Sequence, residues 1–325
     1  MKVIWALALV LTLSLPAQNP PPVPPASAQE QVVIKDIVDL VNVLVTVKDR
    51  KGRLISTLDK KDFEVNEDGR AQEVRYFARE TDLPLTIGML VDTSPSLGRL
   101  IPEEQQAGLV FLDSVLKAKD LAFLISFDSD VDLLQDYTAT RSLLRAGLGR
   151  LRVGGGGGAG GGPFPSQRTG GTHLYDAVFL AATEKLSREV GRKTVVVLTD
   201  GEDQGSRVKL EAAIEAAQKA DVIIYGVLVV DREFYGRYSM MSAGDGVLRR
   251  MCEETGGRMI RADRPKDLAK AFADLAEELR SQYSLAYSST NPKKDGSFRK
   301  LTVKVTQPDM KVQARKGYYA IPPGT

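Results

Sequence analysis

One cysteine, one histidine and one tryptophan occur in 325 residues, and aromatic side chains make up only 6%. The lone Cys252 allows no internal disulfide, and a small buried hydrophobe near the end of a helix is its simpler reading, ahead of a reactive thiol. The lone His173 would have to serve any Ser-His-Asp or Cys-His centre. No G-x-S-x-G motif lies near it, so it reads as a loop residue at the start of a helix. Neither sign of charge prevails: 44 Lys and Arg against 42 Asp and Glu give +2. A nucleic-acid or anionic-membrane surface is not indicated. Past the N-terminus no apolar run is long enough to cross a bilayer.

What is present begins with Lys2 and the apolar run 3–15, which has the length of a secretory signal and is short for a membrane span. Export to the periplasm or the cell exterior is expected. Cleavage after Ala17 and cleavage after Ala26-Ser27-Ala28 both remain open, and an uncleaved anchor is the alternative. No cysteine follows the run, which argues against a lipoprotein anchor. Residues 19–29, with PPPVPP at their centre, read as an extended spacer.

The chain is organised around residues 85–96, LTIGMLVDTSPS. The uncharged, mostly apolar run reads as a strand covered on both faces, as in the middle of a parallel sheet. It ends in Asp92, Ser94 and Ser96. Alternate residues of an extended segment share a face, so a carboxylate and two hydroxyls gather where the strand stops. Such oxygen donors suit a hard cation in the crevice at the carboxyl ends of the strands. Gly170-Gly171-Thr172 precedes an amphipathic helix, and a second apolar strand, VVVLTD, ends in Asp200.

Together Asp92, Ser94, Ser96, Thr172 and Asp200 resemble the metal-ion-dependent adhesion site of von Willebrand factor A (VWA) domains, and all five positions match. The resemblance covers about 83–281. Pro95 and a nearly pure glycine insertion at 154–162 are local differences. It implies a divalent cation, Mg²⁺ first and Mn²⁺ or Ca²⁺ as alternatives, with an open position filled by an Asp or Glu of a protein partner. Residues 44–74 also resemble the segment preceding the VWA domain in a bacterial family of exported VWFA-related proteins.

Around this centre the pattern is α/β: helices at 102–117, 140–151, 174–189, 210–219, 248–255 and 266–282 alternate with strands at 121–127, 194–199, 222–230 and 259–260. Residues 131–135 read as an antiparallel edge strand. Asp128, Asp130 and Asp132 lack the glycine and distant glutamate of an EF-hand, so a solvated hairpin turn is expected there. The fold class is therefore a doubly wound, mostly parallel sheet. Period-two alternation at 41–47, 63–65 and 74–76, and again at 283–287, 301–305 and 312–319, adds a few strands at each end. Neither group would be stable alone. The expected organisation is a leader and spacer at 1–28, a β module at 32–80, the α/β domain at 83–281, and strands at 282–321 that pair with 32–80 into a β-sandwich. The basic cluster Lys293, Lys294, Arg299 and Lys300 reads as a solvated turn.

Function then divides into three classes. The resemblance implies a secreted, non-enzymatic, metal-dependent protein-binding module for adhesion or complex assembly. A Mg²⁺-dependent phosphoryl-transfer or hydrolytic enzyme would place a second carboxylate where Ser94 stands, and a lysine beside it. A scaffold that binds no metal is the third.

Overall fold

The strand β5 (Leu85–Asp92) is buried at every position because it runs between two parallel neighbours, β6 (Leu121–Phe127) and β8 (Arg192–Thr199). A strand with a helix layer on each face has no side for polar residues, which is why LTIGMLVD carries its one charge at its last position. The computed structural model describes residues 40–79, 83–154, 171–229 and 244–322. The expected leader and spacer lie outside them, as does the glycine run after Gly154.

With β7 (Val131–Thr138), β9 (Val222–Val229) and β10 (Met259–Ala262), these strands form one six-stranded sheet in the order β10-β9-β8-β5-β6-β7. All neighbours are parallel except β7, which returns antiparallel to β6 at the edge. From β5 the chain moves outward to β6 and β7, then crosses back to β8 on the other side. The order therefore reverses between β5 and β8, and a crevice opens at their carboxyl ends.

Helices α1 (Ile101–Val115), α2 (Arg141–Leu148) and α6 (Pro265–Arg280) cover one face, where Met89, Leu112, Val196, Phe272 and Leu275 share a core. The rings of Phe111 and Phe272 stack with centroids 4.9 Å apart. On the other face lie α3 (Leu174–Leu180), α4 (Leu210–Lys219) and α5 (Gly244–Thr255), packed over Leu90, Val195 and Val197. The helix expected through 174–189 is α-helical only to Leu180 and continues as a π-helical turn over Ala181–Leu186. Cys252 is buried in this second core, and burial pushes its thiol up, as expected of a structural cysteine.

The end segments pair with each other. β1 (Leu40–Lys48) lies antiparallel between β11 (Tyr283–Ser288) and β13 (Lys311–Gln313), and β4 (Val74–Arg79) extends that sheet beyond β11. A second sheet runs β14-β12-β2-β3, from β2 (Phe63–Glu67), β3 (Arg70–Gln72), β12 (Phe298–Val305) and β14 (Gly317–Tyr319). Val43, Val45, Phe63, Val65, Leu285 and Leu301 share a third core. The run expected as one strand over 312–319 is split: β13 belongs to the first sheet and β14 to the second. Arg299, expected in a solvated turn, is instead 2% exposed and faces inward to Glu67. Its strand alternates, and Arg299 shares the inward parity of Leu301.

Candidate metal centre

Asp92 closes β5 and is fully buried. Its Oδ1 accepts the backbone N–H of Ser94 at 2.9 Å, and its Oδ2 accepts the hydroxyl of Thr199, the last residue of β8, at 2.7 Å. The short turn after β5 (Pro95–Leu97) brings the two serines side by side, with Ser94 Oγ and Ser96 Oγ 3.0 Å apart. Ser96 Oγ then donates to Asp200 Oδ2 at 2.8 Å. Four of the five expected residues thus form one hydrogen-bonded group across the β5–β8 crevice. Thr172 stands on the adjoining loop, bridged to Gln204 by N–H···O=C bonds of 3.0 and 2.8 Å. Among the described residues no side-chain hydrogen bond joins it to the other four.

Asp200 is followed by Gly201, whose φ of +87° is open to glycine and costly for other residues. A Cβ on Gly201 would also stand 2.7 Å from the carbonyl oxygen of Gly244, so the start of α5 is seated directly on this turn. The Gly201 N–H donates to Thr199 Oγ1 at 3.0 Å, which ties the turn back to the hydroxyl that holds Asp92.

The acids oppose one another. Burial, and then the charge of Asp200, push the Asp92 carboxyl up to about 7. A cation held by this group would relieve both effects, and every polar side chain offered is a carboxylate or hydroxyl, the donor chemistry of a hard ion such as Mg²⁺. Among the described residues no three His, Cys, Asp or Glu side chains are grouped to hold a metal, so the hydroxyls would have to complete the set.

Four residues around this group were not legible from the sequence. Asp128, expected in a solvated turn, is 4% exposed: its Oδ2 accepts from Thr93 Oγ1 at 3.3 Å and its carbonyl accepts the His173 N–H at 2.7 Å. It joins the β5 turn to the Thr172 loop. Asp203 and Ser206 accept the Tyr175 N–H at 3.1 Å each, and so cap α3 from the loop after β8. Glu104, on α1, is 1% exposed, and the charges of Asp92 and Asp200 reach it. Its signal was in the spacing: it stands three residues after Ile101 and four before Gly108, on the helix stripe that faces the core.

No protein-family model matches the chain, and no curated protein matches it. Among solved structures it is similar to proximal thread matrix protein 1 from the mussel byssus, at 14% identity and a TM-score of 0.50, over 66% of this chain and 51% of that one. The chain spans about half the length of that relative. It is also similar to a von Willebrand factor type A protein from Catenulispora acidiphila (11% identity, 86% of this chain and 73% of that one, TM-score 0.46). A third similar structure is the vWF domain of the type V pili tip protein Mfa5 from Porphyromonas gingivalis (13% identity, 61% and 95%, TM-score 0.45). At these identities the likeness concerns the fold. That shared fold is a six-stranded, mostly parallel sheet covered by helices on both faces, and in this chain two acids stand at its β5–β8 switch point.

Proposed function

We propose that the β5–β8 crevice holds a divalent cation, Mg²⁺ first, and that the chain is a metal-dependent protein-binding module acting in adhesion or complex assembly outside the cytoplasm. The observation that carries this reading is the continuous group Asp92, Ser94, Ser96 and Asp200, which gathers oxygen donors and two opposed acids at the ends of two neighbouring strands. A cation held there supplies an electrophilic position, because three of its donors are neutral hydroxyls.

The residues divide the work. Ser94, Ser96 and Thr172 present hydroxyls, and Asp92 and Asp200 supply the countercharge. Thr199 and the Ser94 amide hold the Asp92 carboxylate in one orientation, since each binds a different oxygen of it. An Asp or Glu from a protein partner is the ligand such a position takes. Export is supported by the apolar leader in the sequence, and no helix among the described residues is long and apolar enough to cross a membrane.

Calorimetric titration of the full chain with Mg²⁺ and with Mn²⁺, beside Asp92→Ala, tests the reading. Saturable one-site binding that disappears in the variant is expected. A folded wild-type protein that takes up neither ion would overturn it.

A further inference from the structure

Helix α1 turns a continuous stripe toward the sheet: Ile101, Glu104, Gly108, Phe111, Leu112 and Val115 are all buried. Five are apolar, and the sixth is a carboxylic acid. Glu104 is 1% exposed, and neither of its oxygens has a hydrogen-bond partner or reaches solvent. Leaving a buried polar group unbonded is costly, and a carboxyl group has two such atoms.

Other buried acids of this protein are provided for. Glu67 receives hydrogen bonds from Ser289, Tyr287, Tyr318 and Arg299. Glu278 is held by Lys48, Arg258 and Gln313. Asp120 accepts the backbone N–H groups of Leu85 and Lys117. Among the described residues Glu104 is the buried acid with both oxygens orphaned. Burial first, then the charges of Asp92, Glu103 and Asp200, hold its carboxyl well above the ordinary range. Each of those neighbours is negative. Two of them are the acids of the candidate metal centre.

A space-filling role does not account for this arrangement. Leucine or methionine would fill the same place in the stripe without orphaned oxygens. A positive charge at the crevice would cancel the two acids that oppose Glu104, and water carried by such an ion offers the hydrogen-bond donors that the protein does not. We propose that Glu104 is a positioning residue of the Asp92–Asp200 centre, a third carboxylate that accepts hydrogen bonds from water on a bound divalent cation. The inference rests on the cation reading above and goes beyond its five residues. Groups of this outer kind fix the orientation of inner ones, and removing one commonly weakens metal binding about 10–100-fold.

The test uses full-length wild type, Glu104→Gln and Glu104→Leu, with three readouts: Mg²⁺ and Mn²⁺ affinity by calorimetry, Tm without metal, and the electron paramagnetic resonance spectrum of bound Mn²⁺. Glutamine keeps the shape without the charge, and leucine also removes the orphaned atoms. The expected result for both is affinity weaker by about 10–100-fold and an altered Mn²⁺ spectrum at saturation. Without metal, Tm should stay unchanged or rise by about 2–4 °C. That combination separates a metal-positioning role from a structural one, which would lower Tm and leave the spectrum as it was. Wild-type affinity and spectrum in the variants would overturn the inference and leave the five-residue site standing. Weaker binding found only with a fall in metal-free Tm would overturn it too, because damage to the fold would then explain the loss. A folded wild type that binds neither ion overturns both readings together.

Discussion

Glu67 shows how a single buried acid is made tolerable. It faces into the sandwich from β2, where Ser289 Oγ at 2.6 Å, Tyr287 Oη at 2.8 Å, Tyr318 Oη at 3.0 Å and Arg299 Nη1 at 3.2 Å all donate to it. Burial alone would raise its pKa. The four hydrogen bonds to the charged form outweigh burial, and the carboxyl sits below its usual value of 4.5. A folded pKa below the unfolded one means that the folded chain binds fewer protons as acid is added. The stabilisation is present above pH 4.5 and is lost as pH falls through the folded value. Glu67→Gln should therefore be less stable at neutral pH, by about 3–5 kcal/mol, because Arg299 is left buried without its counterion. It should also lose less stability than wild type on acidification. Thermal melts from neutral to strongly acidic pH check this, and parallel curves would refute it. At this scale the sequence was an uneven guide. The gathering of Asp92, Ser94, Ser96 and Asp200 was legible because they lie at or just past the ends of two apolar strands. Glu104, Asp128 and Arg299 were not, because a charge in an amphipathic helix or a turn looks solvated until its neighbours are known.

Among the elements, the turn after β8 has the most to lose from a small change. Gly201 combines a left-handed φ with the approach of Gly244, so a methyl group there meets both a backbone penalty and the start of α5. Gly201→Ala is expected to cost about 1–3 kcal/mol and to weaken divalent-cation binding, since Asp200 is the residue before it. Chemical denaturation and calorimetry on the same preparation would show both losses; an unchanged midpoint would contradict the strained-turn account. The strands were readable in type because their burial is uniform: β5, β8 and β9 are covered along their whole length, and continuous apolar runs report that condition. Element boundaries were less so. The π-helical turn at Ala181–Leu186 left no mark in a sequence that keeps helical spacing, and the break between β13 and β14 left none in one that keeps alternating.

At the scale of the molecule, the α/β domain interrupts a sandwich. Its last helix, α6, ends at Arg280, and β11 begins at Tyr283 and runs down the middle of the first sandwich sheet. Glu278 fixes that junction. Its side chain is fully buried and binds Lys48 of β1 at 2.6 Å, Arg258 at 2.6 Å and Gln313 of β13 at 2.8 Å. Ending the chain after Ser288 would remove β12, β13 and β14. The sheet β1-β11-β4 would keep three strands, whereas β2 and β3 would be left as a lone hairpin, too small to hold itself folded. Limited proteolysis of that truncated chain should cut first within residues 60–72 while the α/β domain resists. Protection of the hairpin equal to that in the full chain would refute the pairing account.

The sequence by itself determined the kinds of element, the alternation that marks the inward faces of the sandwich, and the acids and hydroxyls at the ends of β5 and β8. Local periodicity and composition carry that information, because each residue's preference is set by its near neighbours along the chain. The need for the two end segments to pair was also legible, since neither could stand alone. Tertiary structure decided which strand lies beside which, as in Val43 opposite Leu285 and Leu301 opposite Glu67. An alternating strand fits many partners, and only closure of the chain around the inserted domain selects one. It also decided the charge environment of Glu104: the stripe position is written in α1, but two of the carboxylates whose charge reaches it come from β5 and from the turn after β8, and only folding brings them within reach.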